Sequence, residues 1–515
     1  MSMPKRYLTL LICLLFLIFP GQQASSQVFK EGEVIYQVFV RAFADSDDDG
    51  VGDFNGLRQK LPYLKNLGVG ALWLMPIHPS PTYHGYDVTD YRDVNPDYGS
   101  LQDFCELLSA AHAQDIKVLI DLPLNHTSSR HPWFIESQQP GSARRDWYHW
   151  VDGTEPGVDI QQVVWGEKPW RRWVNNVYYY AIFWDGMPDL NYANPEVFEE
   201  AVDIACFWLQ LGVDGFRLDA TSHIFGQGEG QSHQDTKRSA DFWQRFKAAV
   251  KAKYPKAFLL GEAWEALDRR ALLLSGLDSV VNFDLGDRLL PLLKSGGSGS
   301  ALVSQLASIY AAYQATNPDY VDAPFLSNHD QTRTASVLMM HTDKLKLAAR
   351  ILLSLPGLPI VYYGEEIGMA GAKPDEELRT PMLWGGKDPL QTAWRASKYN
   401  KRTVPVAQQE GDEEALLETY RTFIHLRKEL PALAAGSYRP YEVNNSIPMA
   451  FWRETADQRA LVLHNPSATA QQMDLPAGYK IAYAVSTAAL GPESVVLPGL
   501  GTVILLYEAE QKDSP

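Results

Sequence analysis

The stretch GFRLDATSH, residues 215–223, ends an apolar run with Arg217 and Asp219 two positions apart. Side chains at i and i+2 of a strand leave the same face, so this strand end presents a guanidinium and a carboxylate together. A neighbouring arginine favours the ionised carboxylate, the state a carboxylate nucleophile needs. A purely structural ion pair would read the same in isolation. Three further segments break that tie: KVLIDLPLNH (117–126), AFLLGEAW (257–264) and APFLSNHD (323–330). Each is an apolar, β-rich run that ends in residues able to do chemistry.

Working outward, eight such segments alternate with helical patterns: 34–40, 71–77, 117–125, 213–220, 257–263, 279–285, 323–330 and 359–366. This alternation predicts βα units and a parallel sheet. Eight units predict an α/β fold, a (β/α)8 TIM barrel with its active site at the C-terminal strand ends, where the reactive residues fall. The connection from His126 to Pro195 is too long for a simple barrel loop, and a loop of that length is usually functional. Trp133, Trp147, Trp150, Trp165, Trp170, Trp173 and Trp184 crowd into it. The run KSGGSGS (294–300) reads as a flexible surface turn. An amphipathic helix, 413–430, completes the barrel, and from about Gly436 short strands (MAFWRE, RALVLHN, GTVILLYE) predict a C-terminal all-β sandwich.

The 515-residue chain is long enough for two or three domains. Its 45% hydrophobic and 21% charged residues are those of a soluble globular protein. A net charge of −16 argues against nucleic acid or an anionic membrane as partner. The 14 Trp and 25 Tyr suit sugar faces, although aromatic residues also build cores. At the N-terminus Lys5 and Arg6 precede an uncharged run, Tyr7 to Phe19, followed by Ala24, Ser25 and Ser26. That is the pattern of a cleaved secretory signal, too short to span a bilayer. The reading predicts cleavage after Ser26, a periplasmic or extracellular location and no membrane anchor in the mature form. Cys105 and Cys206 sit in helical patterns and are expected as buried thiols.

In order, the four reactive segments resemble the regions that define the α-amylase family, glycoside hydrolase family 13. GEVIYQVFVRAF (32–43), HGYDVTDY (84–91), MPDLN (187–191) and GLPIVYYGEEIGM (357–369) extend the resemblance over nearly the whole chain. After the signal segment read over 1–26, it implies a catalytic barrel over 27–125 and 188–435, an inserted domain B over 126–187 and a C-terminal sandwich over 436–515. It also implies retaining hydrolysis, in which two carboxyl groups lie roughly 5–5.5 Å apart. Asp219 is then the nucleophile, Glu262 the general acid/base and Asp330 the carboxylate that stabilises the transition state. The apolar run before Glu262 is expected to raise its pKa, as an acid near neutrality requires. Tyr86, Asp87, His126, Arg217 and His329 match substrate-binding positions. Asp121 is expected to orient Arg217, and Arg333 to be an ionic partner within the site.

DSDDDGVGD (45–53) places Asp45, Asp47, Asp49 and Asp53 at alternating positions, with the Val51 carbonyl available. That spacing resembles the first nine positions of an EF-hand loop, but position twelve is Gly56 rather than glutamate. Family members carry structural Ca²⁺ here, sometimes Mg²⁺. Asn125, Asp189 and the His223 carbonyl match a second Ca²⁺ site. The MPDLN motif, His223 and Ala220 resemble the intermediary bacterial α-amylases, acting on α-1,4 bonds of starch and malto-oligosaccharides. Asp87, with Arg379 as a partner, points instead to an α-glucosidase or 4-α-glucanotransferase on short maltodextrins. A non-catalytic glycan-binding member is a third reading, which the three carboxylates oppose. A monomer is expected.

Overall fold

Eight buried strands form one parallel sheet: β1 (Ile35–Val38), β2 (Ala71–Leu74), β3 (Lys117–Leu122), β4 (Gly215–Leu218), β5 (Phe258–Gly261), β6 (Ser279–Asn282), β7 (Ala323–Pro324) and β8 (Ile360–Tyr362). The computed structural model describes residue 29 and residues 32–508, apart from 227–233, 445 and 486. The expected signal segment, 1–26, lies outside the described residues. Neighbouring strands pair in the order β7-β6-β5-β4-β3-β2-β1-β8. A parallel bridge from Phe325, just after β7, to Ile360 in β8 closes the ring.

The period-2 alternation of strands sorts the barrel's residues. Ile35, Ala71, Leu119, Phe258 and Val281 belong to an apolar core separate from the larger cluster of buried residues, which takes in Tyr36, Leu72, Ile120, Phe216 and Leu259. Toward the C-terminal ends several of these positions turn polar: Gln37 lies two beyond Ile35, Asp121 two beyond Leu119, Arg217 two beyond Gly215, and Glu262 directly follows β5. Asp121 lies opposite Arg217 in the β3–β4 register. The polar layer therefore sits at the C-terminal rim.

Local chemistry sets the helix ends. Helix Pro195–Leu211 starts with an Asn194 cap and Pro195 in its first turn, and stops at Gly212, where φ is 110°. Helix Leu416–Glu429 buries Leu417, Tyr420, Phe423 and Ile424 and packs on Thr342–Ser354.

In the long connection after β3, strands Trp150–Asp152, Val177–Tyr180 and Trp170–Arg172 form a small antiparallel sheet. Beyond Gly436 come a five-stranded antiparallel sheet and a three-stranded one that share a core of their own. The turn at 294–300 differs from its reading as a free surface turn. Gly299 and Ser300 donate to the carbonyls of Ile447 and Ser446 in the C-terminal segment, at 3.0 and 3.1 Å. A Cβ on Gly299 would meet the Ile447 oxygen at 2.4 Å, so only glycine allows that approach. Cys206 is a free, half-buried thiol, and Cys105 is buried in helix Leu101–Ala113. Among the described residues no helix is long and apolar enough to cross a membrane.

Candidate active site

Arg217, buried in the barrel rim, holds three carboxylates. Its Nη1 donates to Asp121 Oδ1 (2.8 Å) and Asp219 Oδ1 (2.6 Å), and its Nη2 meets Glu262 Oε2 at 2.7 Å. The β4 end then turns sharply. Ala220 has a φ of 50°, its N–H points at Glu262 Oε2 (3.3 Å), and the Thr221 N–H donates to the Glu262 carbonyl (3.1 Å). Gly261 makes this closure possible: a Cβ there would lie 2.4 Å from Leu277 Cδ1 and 3.2 Å from Thr221. The turn fixes Asp219 and Glu262 against each other.

Asp330 stands on a second set of supports. Arg379 Nη2 meets Asp330 Oδ1 at 2.8 Å and Arg379 Nε donates to the His329 carbonyl at 3.1 Å. His329 Nε2 lies 3.0 Å from Asp330 Oδ2 and 2.6 Å from the Tyr86 hydroxyl, while Gln37 bonds its Nδ1 at 2.8 Å. Tyr86 also donates to Asp121 Oδ2 (3.0 Å), which links the two sets. A cavity of about 670 Å³ opens over Asp219, Glu262 and Asp330. Its walls include Tyr86, His84 and Arg379 from the barrel, and Trp165, Phe183 and Trp184 from the long connection.

These surroundings separate the three acids. Burial raises Glu262 to about 7, against the pull of Arg217. Burial also raises Asp219, to about 6, with Asp121 and Asp330 adding to the rise and Arg217 opposing it. The expectation that Arg217 alone keeps Asp219 low is thus too simple, although Asp219 still titrates below Glu262. Burial would raise Asp330 too, but His329, Arg379 and Arg217 outweigh it and hold this carboxyl well below the usual range.

Comparison with known proteins agrees with this geometry. The sequence pattern described as "Alpha amylase, catalytic domain" matches residues 37–436, and "Alpha-amylase SusG C-terminal domain" matches 449–504. The chain belongs to the α-amylase family. Alpha-amylase 3 of Dictyoglomus thermophilum is 41% identical over 445 residues, covering 85% of this chain and 86% of that protein. The crystal structure of an α-amylase from H. orenii superposes with a TM-score of 0.86 at 38% identity, covering 93% of this chain and all of that one. The 4-alpha-glucanotransferase of Thermotoga maritima is 34% identical over 406 residues, 76% of this chain and 87% of that protein. The chain is an α-amylase-family glycoside hydrolase, and the family acts on α-glucans.

Not every residue assigned by the resemblance reaches the cavity. Asp87 is buried and accepts from the Ser80 hydroxyl (2.6 Å) and that of Thr82; it lies 3.9 Å from His84 of the cavity wall and does not itself line the cavity. Arg379, its expected partner, holds Asp330 instead. His126 lies behind the wall, its ring 5.4 Å from that of Phe183 and its Nε2 buried without a protein partner. Arg333 is a scaffold residue: it donates to the carbonyls of Tyr363 (2.7 Å) and Leu378 (2.8 Å).

In the acidic loop, oxygens of Asp45, Asp47 and Asp49 converge within 4.8 Å of one another, which fits a hard cation. Asp53 departs from the expected ligand set, because its carboxylate caps helix Phe54–Leu67. Oδ1 accepts from the Gly56 N–H (2.7 Å) and Oδ2 from the Ser46 N–H (2.6 Å). Asn125 donates to Asp189 Oδ2 (3.1 Å) and the Ile182 N–H to Oδ1 (3.0 Å), so those two expected ligands do meet. His223 lines the cavity with its ring.

Sequence reading overlooked Gln37 and the group Gln234, Glu265 and Arg269. Gln37 carried a signal, a polar residue at an inward position of the otherwise apolar β1. Trp264, two residues past Glu262, stacks on Phe283 (4.8 Å, 6°) and stays open to the cavity.

Proposed function

We propose that this enzyme cleaves α-1,4-glucosidic bonds of malto-oligosaccharides and starch with retention of configuration, in two displacements. The observation that carries this reading is the pair of acids on one guanidinium, Asp219 titrating near 6 and Glu262 near 7. Between those values Asp219 is ionised and attacks the anomeric carbon, while Glu262 is protonated and gives its proton to the leaving oxygen. Water then enters with Glu262 as base. Asp330, held ionised on His329 and Arg379, faces the positive charge that develops on the sugar. Tyr86 offers its ring beside His329 as the sugar's resting face.

Asp45, Asp47 and Asp49, with the Val51 carbonyl, would hold Ca²⁺ or Mg²⁺ and neutralise their mutual repulsion. Asn125, Asp189 and the His223 carbonyl would hold a second Ca²⁺. The buried Asp189 has only neutral donors around it here, which suits a cation partner. We further propose export through the N-terminal segment, no membrane anchor in the mature enzyme, and a monomer.

Asp219→Asn should abolish turnover with the fold intact, and NMR of early products from maltoheptaose should show α-anomers. β-Anomers would end the two-step mechanism. The glucanotransferase relative supports a second reading, in which a sugar replaces water as acceptor. Chromatography distinguishes them, since transfer yields chains longer than the substrate.

A further inference from the structure

The hairpin that carries Trp165 is strained. Val164 and Glu167 exchange both backbone hydrogen bonds (2.8 and 2.9 Å), leaving Trp165 and Gly166 as a two-residue tip. Both residues have positive φ, 51° and 87°, as a type I′ turn requires, and asparagine followed by glycine is the favoured pair there. A bulky residue in that conformation is an outlier of the kind that persists at functional sites. Trp165 is also 61% exposed, so burial does not offset the strain.

What the strain achieves is a position. The Trp165 ring lines the cavity over Asp219 and Glu262, edge-on to His223 with centroids 5.2 Å apart. The wall continues from His223 to Gln234, whose amide lies 3.4 Å from His223 Nε2 and donates to Glu265, three residues past Glu262. Arg269 Nη1 ties it together, 3.2 Å from Gln234 Oε1 and 3.4 Å from Glu265. Tyr86, His84, Asp330 and Arg379 are linked through His329 in a set of contacts of their own. Because Glu262 hands its proton to the leaving oxygen, the departing sugars lie along the Glu262 wall.

We propose that Trp165 is a stacking platform for a sugar ring on the leaving-group side of the scissile bond, selecting longer α-glucan chains. The proposal rests on the hydrolase reading above and adds a specificity residue to it. Trp165→Asn places a turn-favoured residue at the strained position, so its melting temperature should equal or exceed that of the wild type. Its kcat/KM on maltoheptaose should nevertheless fall about tenfold relative to that on α-maltosyl fluoride, which has no sugar on the leaving side. Trp165→Phe, which keeps a ring, should restore most of that ratio. A lower melting temperature for the Asn variant, or equal losses on both substrates, would reduce Trp165 to a structural role and overturn the proposal. A wild-type enzyme inert on both substrates would overturn the hydrolase reading, and the role of Trp165 with it.

Discussion

Glu262→Gln tests the acid assignment most directly, because the structure supplies both limbs of the pH profile. The proposed mechanism needs Asp219 ionised and Glu262 protonated, and burial raises the two to about 6 and about 7. The rate should therefore rise through about pH 6 and fall through about pH 7. The acids share Arg217, so the limbs belong to the coupled group rather than to isolated residues. Glutamine keeps the shape of Glu262 and its contact with Ala220 but gives no proton, so kcat/KM on maltoheptaose should fall about 10²–10⁴-fold. The falling limb should vanish with it, leaving a profile that rises through pH 6 and then stays level. Glycosyl fluorides, whose leaving group needs no proton, should be largely spared in the first step. The assay is kcat/KM from pH 4.5 to 9 on both substrates for both proteins. A falling limb that survives in the Gln variant, or equal losses on the two substrates, would refute the assignment.

Three further outcomes follow. Arg379→Ala frees Asp330 from its 2.8 Å partner and should lower kcat/KM on maltoheptaose about a hundredfold with little change in far-UV circular dichroism, since displacing a charge-stabilising group by about 1 Å costs that order; an unchanged rate would remove Arg379 from the site. Asp322, buried beside Asn282 at the foot of β7, is raised by burial to about 7, so its share of stability is full below its ordinary value near 3.8 and is lost as pH rises through 7. Asp322→Asn should therefore gain in melting temperature relative to the wild type between pH 4 and 8, and a constant difference would contradict this. Chelation, or Asp49→Ala, should lower the melting temperature much more than the initial rate at moderate temperature; an unchanged melting curve together with metal-free protein by elemental analysis would remove the cation from the acidic loop.

Strand ends were legible in the sequence because their signal is local. Arg217 and Asp219 share a face through period-2 alternation, and the same rule carries Glu262 to the rim, whereas Asp330 lies six residues past β7 in a turn. What stayed illegible depends on where a side chain turns after the strand ends. Asp87 and Tyr86 are adjacent in the chain, yet Tyr86 faces Asp121 while Asp87 bonds Ser80 and Thr82. Arg333 and Arg379 are both buried arginines near Asp330. Only the fold tells that the one nearer in sequence serves carbonyls and the one farther away, by 49 residues, serves the carboxylate. Asp53 has the spacing of a cation ligand, but three residues before Gly56 it is also at cap position, and two backbone donors compete for its oxygens.

Ring closure also makes the acidic loop and the cavity neighbours. β1 pairs with both β2 and β8, so the loop after β1 and the segment after β8 leave the same rim side by side. The Asp45 N–H donates to the Leu390 carbonyl (3.0 Å), and the Ala393 N–H to that of Gly50 (2.9 Å). The next residue, Trp394, stacks on Tyr83 (5.5 Å, 25°) and donates its indole N–H to the Arg379 carbonyl at 3.1 Å. Arg379 in turn holds Asp330. A loop that reads along the chain as a separate cation site is therefore one peptide hydrogen bond and one indole away from the arginine that holds Asp330. Chelation spares the rate only while residues 390–394 keep their place. As temperature rises toward the melting point of the metal-free protein, its first kinetic loss should be the loss that Trp394→Phe produces at any temperature.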